Sequence, residues 1–375
     1  MSSEPRIRLE EVAKRFGDLV AVQPMNLAVL PGQFVVILGP SGSGKTTALR
    51  LIAGLESPTQ GKVFLDREDV TGMPPSARDI AFAFQMYTLY PHLSSGENVA
   101  FPLRAQGVSP PEALERAKNL MERLGIGALA ARRPGVLSGG DQQRVSLARA
   151  LIRTPKAYLL DEPLGNLDGG VREVVRDILR VMHNERGSTT VLVTHDQDEA
   201  MALADYLVVM RAGRIVQAGT PRQVYEEPSE LFVAGFVGTP GMNLLRATRR
   251  GEWVQIQDLP LRLRVGEFYH APSAGGKQVS GEVRCYVGVR PEHVLLSEEG
   301  APCQAVHTET LGSFNLLEAR AGESRLKVWL PGNMRFRAGE PVRVTVIPAG
   351  CRWFDSETGR ALPWKTLESQ CLPTR

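Results

Sequence analysis

The stretch Gly39-Pro40-Ser41-Gly42-Ser43-Gly44-Lys45-Thr46 constrains the fold more than any other part of this chain. It satisfies G-x-x-x-x-G-K-[ST] without a mismatch, and its flanks supply the context the pattern needs. Phe34-Val35-Val36-Ile37-Leu38 precedes it, an apolar run of strand length. Thr47 to Ala53 follows as a helix pattern that stops at Gly54. In a strand, glycine-rich turn and helix of this kind, backbone N–H groups converge on a phosphate chain. The helix N-terminus adds partial positive charge. Lys45 then sits on the β- and γ-phosphates of a nucleotide, and the Thr46 hydroxyl ligates Mg²⁺. A turn that binds nothing has no use for Lys and Thr at these two positions.

Four further stretches are candidates for chemistry. Ala157-Tyr158-Leu159-Leu160 runs as a strand into Asp161-Glu162-Pro163. Asp161 is placed to orient Mg²⁺, and Glu162, one residue on, to accept a proton from an attacking water. Ile80 to Phe84 is a second buried strand ending at Gln85, which lies within reach of metal or water. Thr189 to Thr194 is a third, closed by His195; a lone histidine usually reads as structural or solvated, but at the edge where open α/β sheets bind ligands it is also placed to donate to a γ-phosphate. Ser138-Gly139-Gly140 opens a helix with Val145, Ala148, Leu151 and Ile152 on its apolar side. Taken alone, this opening reads either as an N-cap or as a second anion site without a lysine. Phe16 reads equally as a stacking platform for an adenine or as a core aromatic.

Strands alternate with helices to about residue 230, so the first part of the chain is a mostly parallel sheet flanked by helices. Ile7 to Glu11 alternates apolar and charged and reads as an edge strand. Residues 86–154 form a helical insertion within residues 1–236. The helix from Pro110 stops at Gly125. After Gly238-Thr239-Pro240-Gly241 the pattern changes to short alternating segments: Trp253–Gln257, Leu261–Val265, Val283–Val289, Leu316–Ala319, Leu326–Leu330 and Val342–Ile347. Gly, Pro and Ser clusters such as Ala271–Gly276 separate them, so residues 237–375 read as an all-β, barrel-like domain.

A net charge of +3 over 375 residues gives no electrostatic footprint for nucleic acid. No apolar run is long enough to cross a bilayer, and Met1 to Arg6 lacks the apolar core of an export signal. Cys285, Cys303, Cys351 and Cys371 form no C-x-x-C pair, which fits reduced thiols in a cytosol.

The order of these motifs resembles the ATP-binding subunits of ABC transporters. Phe16, GPSGSGKTT (Gly39 to Thr47), Gln85, LSGGDQQR, LLDEP, NLD and THD correspond to that family's A-loop, Walker A, Q-loop, signature, Walker B, D-loop and H-loop. QMYTLYPHLSSGENVAF is similar to the importer surface that receives a permease helix. FVGTPGMN and GVRPEH extend the likeness to carbohydrate-importer ATPases. The resemblance implies an α/β P-loop NTPase followed by a barrel of oligonucleotide/oligosaccharide-binding type. It also implies ATP and Mg²⁺ as ligands and turns Phe16 towards stacking.

In such a protein two copies face head to tail. ATP lies between Lys45 and Thr46 of one and Ser138, Gly139 and Gly140 of the other. Glu162 activates water, with His195 and Gln85 beside it, and Thr46, Gln85 and Asp161 hold the metal. The implied partners are two permease subunits, a solute-binding protein acting indirectly, and a regulator at the C-terminal domain. The implied location is the cytoplasmic face of the inner membrane, as a peripheral subunit. The implied solute is a sugar or glycerol-3-phosphate, with a polyamine, sulfate or iron as alternatives. A soluble ATPase acting on nucleic acid or ribosomes is a different class: the signature starts too soon after the phosphate loop for the first and there is one cassette instead of two for the second. Two positions depart from the family pattern. Asp141 stands where Gln is usual, adding a carboxylate near a phosphate or ribose, and Gly165 stands where Ser is usual, removing an interface hydroxyl.

Overall fold

A computed structural model of the chain describes residues 4–266 and 282–371. It divides into two compact units, Met1–Arg222 and Gln223–Arg375.

The first unit runs β1 (Ile7–Phe16), β2 (Leu19–Val29), β3 (Phe34–Leu38), α1 (Lys45–Ala53), β4 (Gln60–Leu65), β5 (Glu68–Asp69) and β6 (Ile80–Ala83). Three helices follow, α2 (Ser95–Ala105), α3 (Pro110–Arg123) and α4 (Gly139–Leu151). Then come β7 (Ala157–Asp161), α5 (Gly169–Arg186), β8 (Thr190–Thr194), α6 (Gln197–Leu203), β9 (Tyr206–Arg211) and β10 (Arg214–Gly219).

The main sheet has the order β10-β9-β3-β8-β7-β6 and is parallel except for β10. Strands β3, β7 and β8 are buried along their whole length, which is why they read as continuous apolar runs instead of alternating ones. An antiparallel sheet, β2-β1-β4-β5, lies over α1. The α1 residues Leu49, Leu51 and Ile52 are fully buried between the two sheets. Each such side chain contributes about 1.5–3 kcal/mol by leaving water, so the helix behind the phosphate loop is fixed from both sides.

One expectation is corrected here. β1 is not an edge strand: it pairs with β2 on one side and β4 on the other. Its alternation reports burial of one face only. Ile7, Leu9 and Val12 face the core while Arg8 and Glu10 face solvent.

The second unit opens around α7 (Pro221–Glu226) and α8 (Leu231–Phe236). Its strands are β11 (Asn243–Arg250), β12 (Trp253–Ile256), β13 (Leu261–Val265), β14 (Val283–Val289), β15 (Val294–Leu311), β16 (Phe314–Ala321), β17 (Ser324–Pro331), β18 (Pro341–Val346), β19 (Cys351–Asp355), β20 (Ala361–Leu362) and β21 (Thr366–Cys371). They form one seven-stranded and one four-stranded sheet around a shared core, the OB-type β domain expected. All six alternating segments are strands, and Ala271–Gly276 falls outside the described residues. The sequence reading does not show β15. It carries Gly300 and Pro302 inside its length, where its register against β18 shifts between Leu296 and Ala301.

FVGTPGMN and GVRPEH meet in this unit. Arg290 is 2% exposed, its guanidinium 3.8 Å from the Tyr225 ring centroid. It donates to the carbonyls of Tyr225, Ala234 and Val237, which ties the segment around α7 and α8 to the β domain. Tyr225 in turn donates to Glu292 at 2.6 Å, and burial with that bond pushes its phenol up to about 12. Asn243 joins the two sheets by bonding both N–H and C=O of Lys327.

Candidate functional site

The neighbouring strands β3, β8, β7 and β6 all point their C-terminal ends at one edge of the main sheet. That edge carries the phosphate loop, His195, Asp161 with Glu162, and Gln85 in the same order. Residues more than a hundred positions apart in sequence are collected by sheet topology alone.

At the phosphate loop, Gly44 adopts φ 97°, and a Cβ there would come within 2.5 Å of the Ala21 carbonyl oxygen. Only glycine fits. Gly44 is also the N-cap of α1, so no side chain caps the helix and no acid stands in its first turn. The free N–H groups make this end of α1 a place for an anion. Ser43 Oγ is buried without a hydrogen-bond partner, a second unfilled polar position in the loop. Pro40 and Thr47 are half-buried, whereas Ser41 and Gly42 are exposed on the loop's outer side. Lys45 is 5% exposed and donates to the carbonyls of Gly39 at 2.8 Å and Pro40 at 3.0 Å. Burial lowers its pKa, opposed by the charges of Glu162 and Asp161.

Thr46 Oγ1 donates to Asp161 Oδ1 at 2.8 Å. Asp161 is 1% exposed, and desolvation raises its pKa against the pull of that bond, Arg50 and Lys45. A hydroxyl and a buried carboxylate are hard oxygen donors. Among the described residues no group of three or more His, Cys, Asp or Glu makes a full metal cage. The donor set therefore fits a cation that keeps water and phosphate oxygens as its remaining ligands, which is Mg²⁺ behaviour.

Glu162 has both carboxylate oxygens engaged. Gln85 Nε2 donates to Oε2 at 3.0 Å, and His195 Nδ1 lies 3.2 Å from Oε1. The backbone of Glu162 is left-handed, φ 46°, a conformation that costs a non-glycine residue about 1–2 kcal/mol. Its N–H donates to Val193 O at 2.9 Å and its C=O accepts from Gln143 Nε2 at 2.8 Å. The three side chains expected to act together are thus brought together.

Ser138 is the N-cap of α4 and accepts from Asp141 N–H at 3.1 Å. The N-cap reading of this stretch is therefore observed, with Gly139 and Gly140 forming the first turn beyond it. Asp141 does not stand as a loose carboxylate: it is paired with Arg144 one turn along α4. Gly165 has space around it, the nearest atom to a Cβ being Glu162 O at 3.7 Å. Phe16 is 45% exposed at the end of β1, with Lys14 Nζ 4.7 Å from its ring centroid. That is not the placement of a core aromatic.

Two groups of contacts are additional to the sequence reading. Tyr87 OH accepts from Asn166 Nδ2 at 2.9 Å, joining the loop after Gln85 to the turn after Glu162. Arg149 fastens that loop to α4 through the carbonyls of Tyr87 and Thr88. Gln143 is the other, 3% exposed on the stripe that also carries Leu147, Ala150 and Leu151. A glutamine in line with an apolar stripe is the signal that would find it.

Comparison with known proteins agrees with this geometry. The ABC transporter family model matches residues 22–165 and the TOBE domain model residues 287–354. The sulfoquinovosyl glycerol transport ATP-binding protein SmoE of Agrobacterium fabrum is 41% identical, covering 95% of this chain and 99% of its own. The sn-glycerol-3-phosphate import ATP-binding protein UgpC of Escherichia coli O1:K1 is 41% identical, covering 94% and 99%. Among solved structures, a dimeric ATP-binding cassette in a post-hydrolysis state with ADP and Pi superposes with TM-score 0.55 at 34% identity. That match covers 58% of this chain and 99% of the other. With relatives of this identity along nearly its whole length, the chain belongs to the ATP-binding subunits of ABC transporters.

Proposed function

We propose that this chain is the ATP-hydrolysing subunit of an importer for a sugar or glycerol-3-phosphate. The observation that carries the hydrolytic role is Glu162, held between Gln85 and His195 beside the Thr46–Asp161 pair. The full-length relatives, named for glycerol-3-phosphate import and sulfoquinovosyl glycerol transport, support the solute class.

ATP is held by the open N-terminus of α1 and by Lys45, which exchanges its bonds to the Gly39 and Pro40 carbonyls for the phosphates. Phe16 stacks on the adenine. Thr46 and Asp161, with Gln85 near them, hold Mg²⁺, whose charge offsets that of the phosphates. Glu162 takes a proton from a water whose oxygen attacks the γ-phosphorus. The bond from that phosphorus to the bridging oxygen breaks, leaving ADP and phosphate. His195 donates to the γ-phosphate, and Gln85 leaves Glu162 to hold the water. Positioning and charge do most of the chemical work.

Two copies pair head to tail, so that Ser138, Gly139 and Gly140 of one close over the nucleotide of the other. Closure moves two permease subunits docked on the Tyr87–Phe101 stretch. The subunit sits peripherally on the cytoplasmic face of the inner membrane, receives solute indirectly from a binding protein, and takes a regulator on its C-terminal domain. No nucleic acid takes part.

The test is a tagged Glu162→Gln chain recovered from its native membranes with ATP and Mg²⁺. Two polytopic permease subunits should co-purify, and vesicles holding that complex should take up a sugar or glycerol-3-phosphate when given the wild-type ATPase. Recovery of ribosomes or DNA, or of no membrane protein, rejects the importer reading.

A further inference from the structure

We infer that Gln143 is a positioning residue for hydrolysis: its side-chain amide sets the backbone that carries Glu162. The inference deepens the reading of Glu162 as the base and rests on it. Gln143 Nε2 donates to the Glu162 carbonyl at 2.8 Å, and its Oε1 accepts the Asn166 N–H at 2.8 Å. Both ends of one amide are used, so its orientation is fixed from two sides.

The direction of the Glu162 side chain depends on the two peptide planes flanking its Cα. The plane before it is held by β8, through the bond from Glu162 N–H to Val193 O at 2.9 Å. The plane after it belongs to a turn, where Gly165 N–H reaches the same carbonyl at a longer 3.3 Å. Gln143 is the shorter and more buried of the two restraints on that plane. Because φ at Glu162 is 46°, the backbone is outside its preferred basins and relaxes if released. Relaxation swings the carboxylate off the line set by Gln85 and His195. A displacement of about 1 Å at a reacting group is enough to cost about a hundredfold in rate.

Gln143 also sits on α4, the helix that starts at Ser138, Gly139 and Gly140. One side chain therefore links the helix proposed to close on the partner's nucleotide to the base of its own subunit. A shift of α4 reaches Glu162 through the carbonyl and Asn166 through the N–H.

Two variants of the full chain test this. Gln143→Met keeps the volume and loses both bonds. Gln143→Glu keeps the acceptor for Asn166 N–H and, when ionised, loses the donor to Glu162. Both should lower kcat by about tenfold or more while leaving KM for ATP within about twofold, because neither touches the nucleotide. ATP-dependent dimers should still form. In a Glu162→Gln background, Gln143→Met should produce no further fall, since its effect on the chemical step runs through the carboxylate.

Wild-type kcat in both variants, or a full additional fall in the double variant, overturns the role of Gln143. Loss of folding in both assigns it to the scaffold and also overturns the role. Normal turnover in Glu162→Gln alone is a separate outcome: it removes Glu162 as the base, whatever Gln143 does.

Discussion

Gln85 Nε2 donates to Glu162 Oε2 at 3.0 Å across 77 positions of sequence. The bond joins the ends of two adjacent parallel strands, β6 and β7. It uses one of the lone pairs of the Glu162 carboxylate and leaves others open to a water.

Exchanging Glu162 for glutamine keeps the shape and removes the proton acceptor. Turnover should fall by about 10²–10⁴, the range of a positioned general base. ATP should then accumulate with the dimer, seen as an ATP-dependent shift in size-exclusion chromatography. Turnover within a few-fold of wild type would show that another group takes the proton.

Gly165→Ser should be accepted without rearrangement. A Cβ at 165 meets only ordinary contacts, 3.7 Å from Glu162 O and 3.9 Å from Glu162 Oε2. Stability should change by less than about 0.5 kcal/mol. The added hydroxyl lies near the Glu162 carboxylate, so any change in kcat should come without a change in Tm. A Tm drop of several degrees would mean that the turn is tighter than its geometry indicates.

Arg290→Ala removes a buried guanidinium and strands the carbonyls of Tyr225 and Val237. The cost should be about 3 kcal/mol, from buried acceptors left without donors. All four tryptophans, Trp253, Trp329, Trp353 and Trp364, lie in the second unit. Tryptophan fluorescence during urea unfolding therefore reads this unit directly, and its midpoint should fall. An unchanged midpoint would reduce the Arg290 contacts to decoration.

Burial pushes the Cys285 and Cys351 thiols up to about 12 and Cys303 up to about 11, from an ordinary 9.0. The folded values are raised, so the thiols favour the folded chain fully below pH 9 and progressively less as pH rises from there towards 12. Stability measured by denaturant should accordingly decline over this range. At pH 8 these three thiols should resist maleimide in the native protein and react once it is unfolded. Rapid native labelling at Cys303 would contradict its burial.

The phosphate loop and the strand-end residues were legible because each motif couples a short pattern to a fixed place on a parallel sheet. Lys45, Asp161, Glu162, Gln85 and His195 needed only the strands to be recognised, and apolar runs gave those. Contacts between motifs were not legible. Nothing in the spacing of Gln143 and Asn166 tells that one amide joins them, because the turn after Glu162 has no period to read. The pairing of Asp141 was hidden for a related reason: its partner Arg144 is three residues away, but a charge pair along a helix becomes definite only with the rotamers. β1 was misjudged because alternation reports which face is wet and says nothing about how many neighbours a strand has.

The strand β7 works as a ruler. Asp161 closes it in extended conformation next to Thr46, and the left-handed backbone at Glu162 then aims the following carboxylate at Gln85 and His195. Deleting or inserting one residue within β7 would turn the side chain that faces Thr46 to the other side of the sheet, leaving the sequence motif intact but out of place. For an engineer joining this cassette to another, the seam has to fall outside that strand, however well the motifs on either side are preserved.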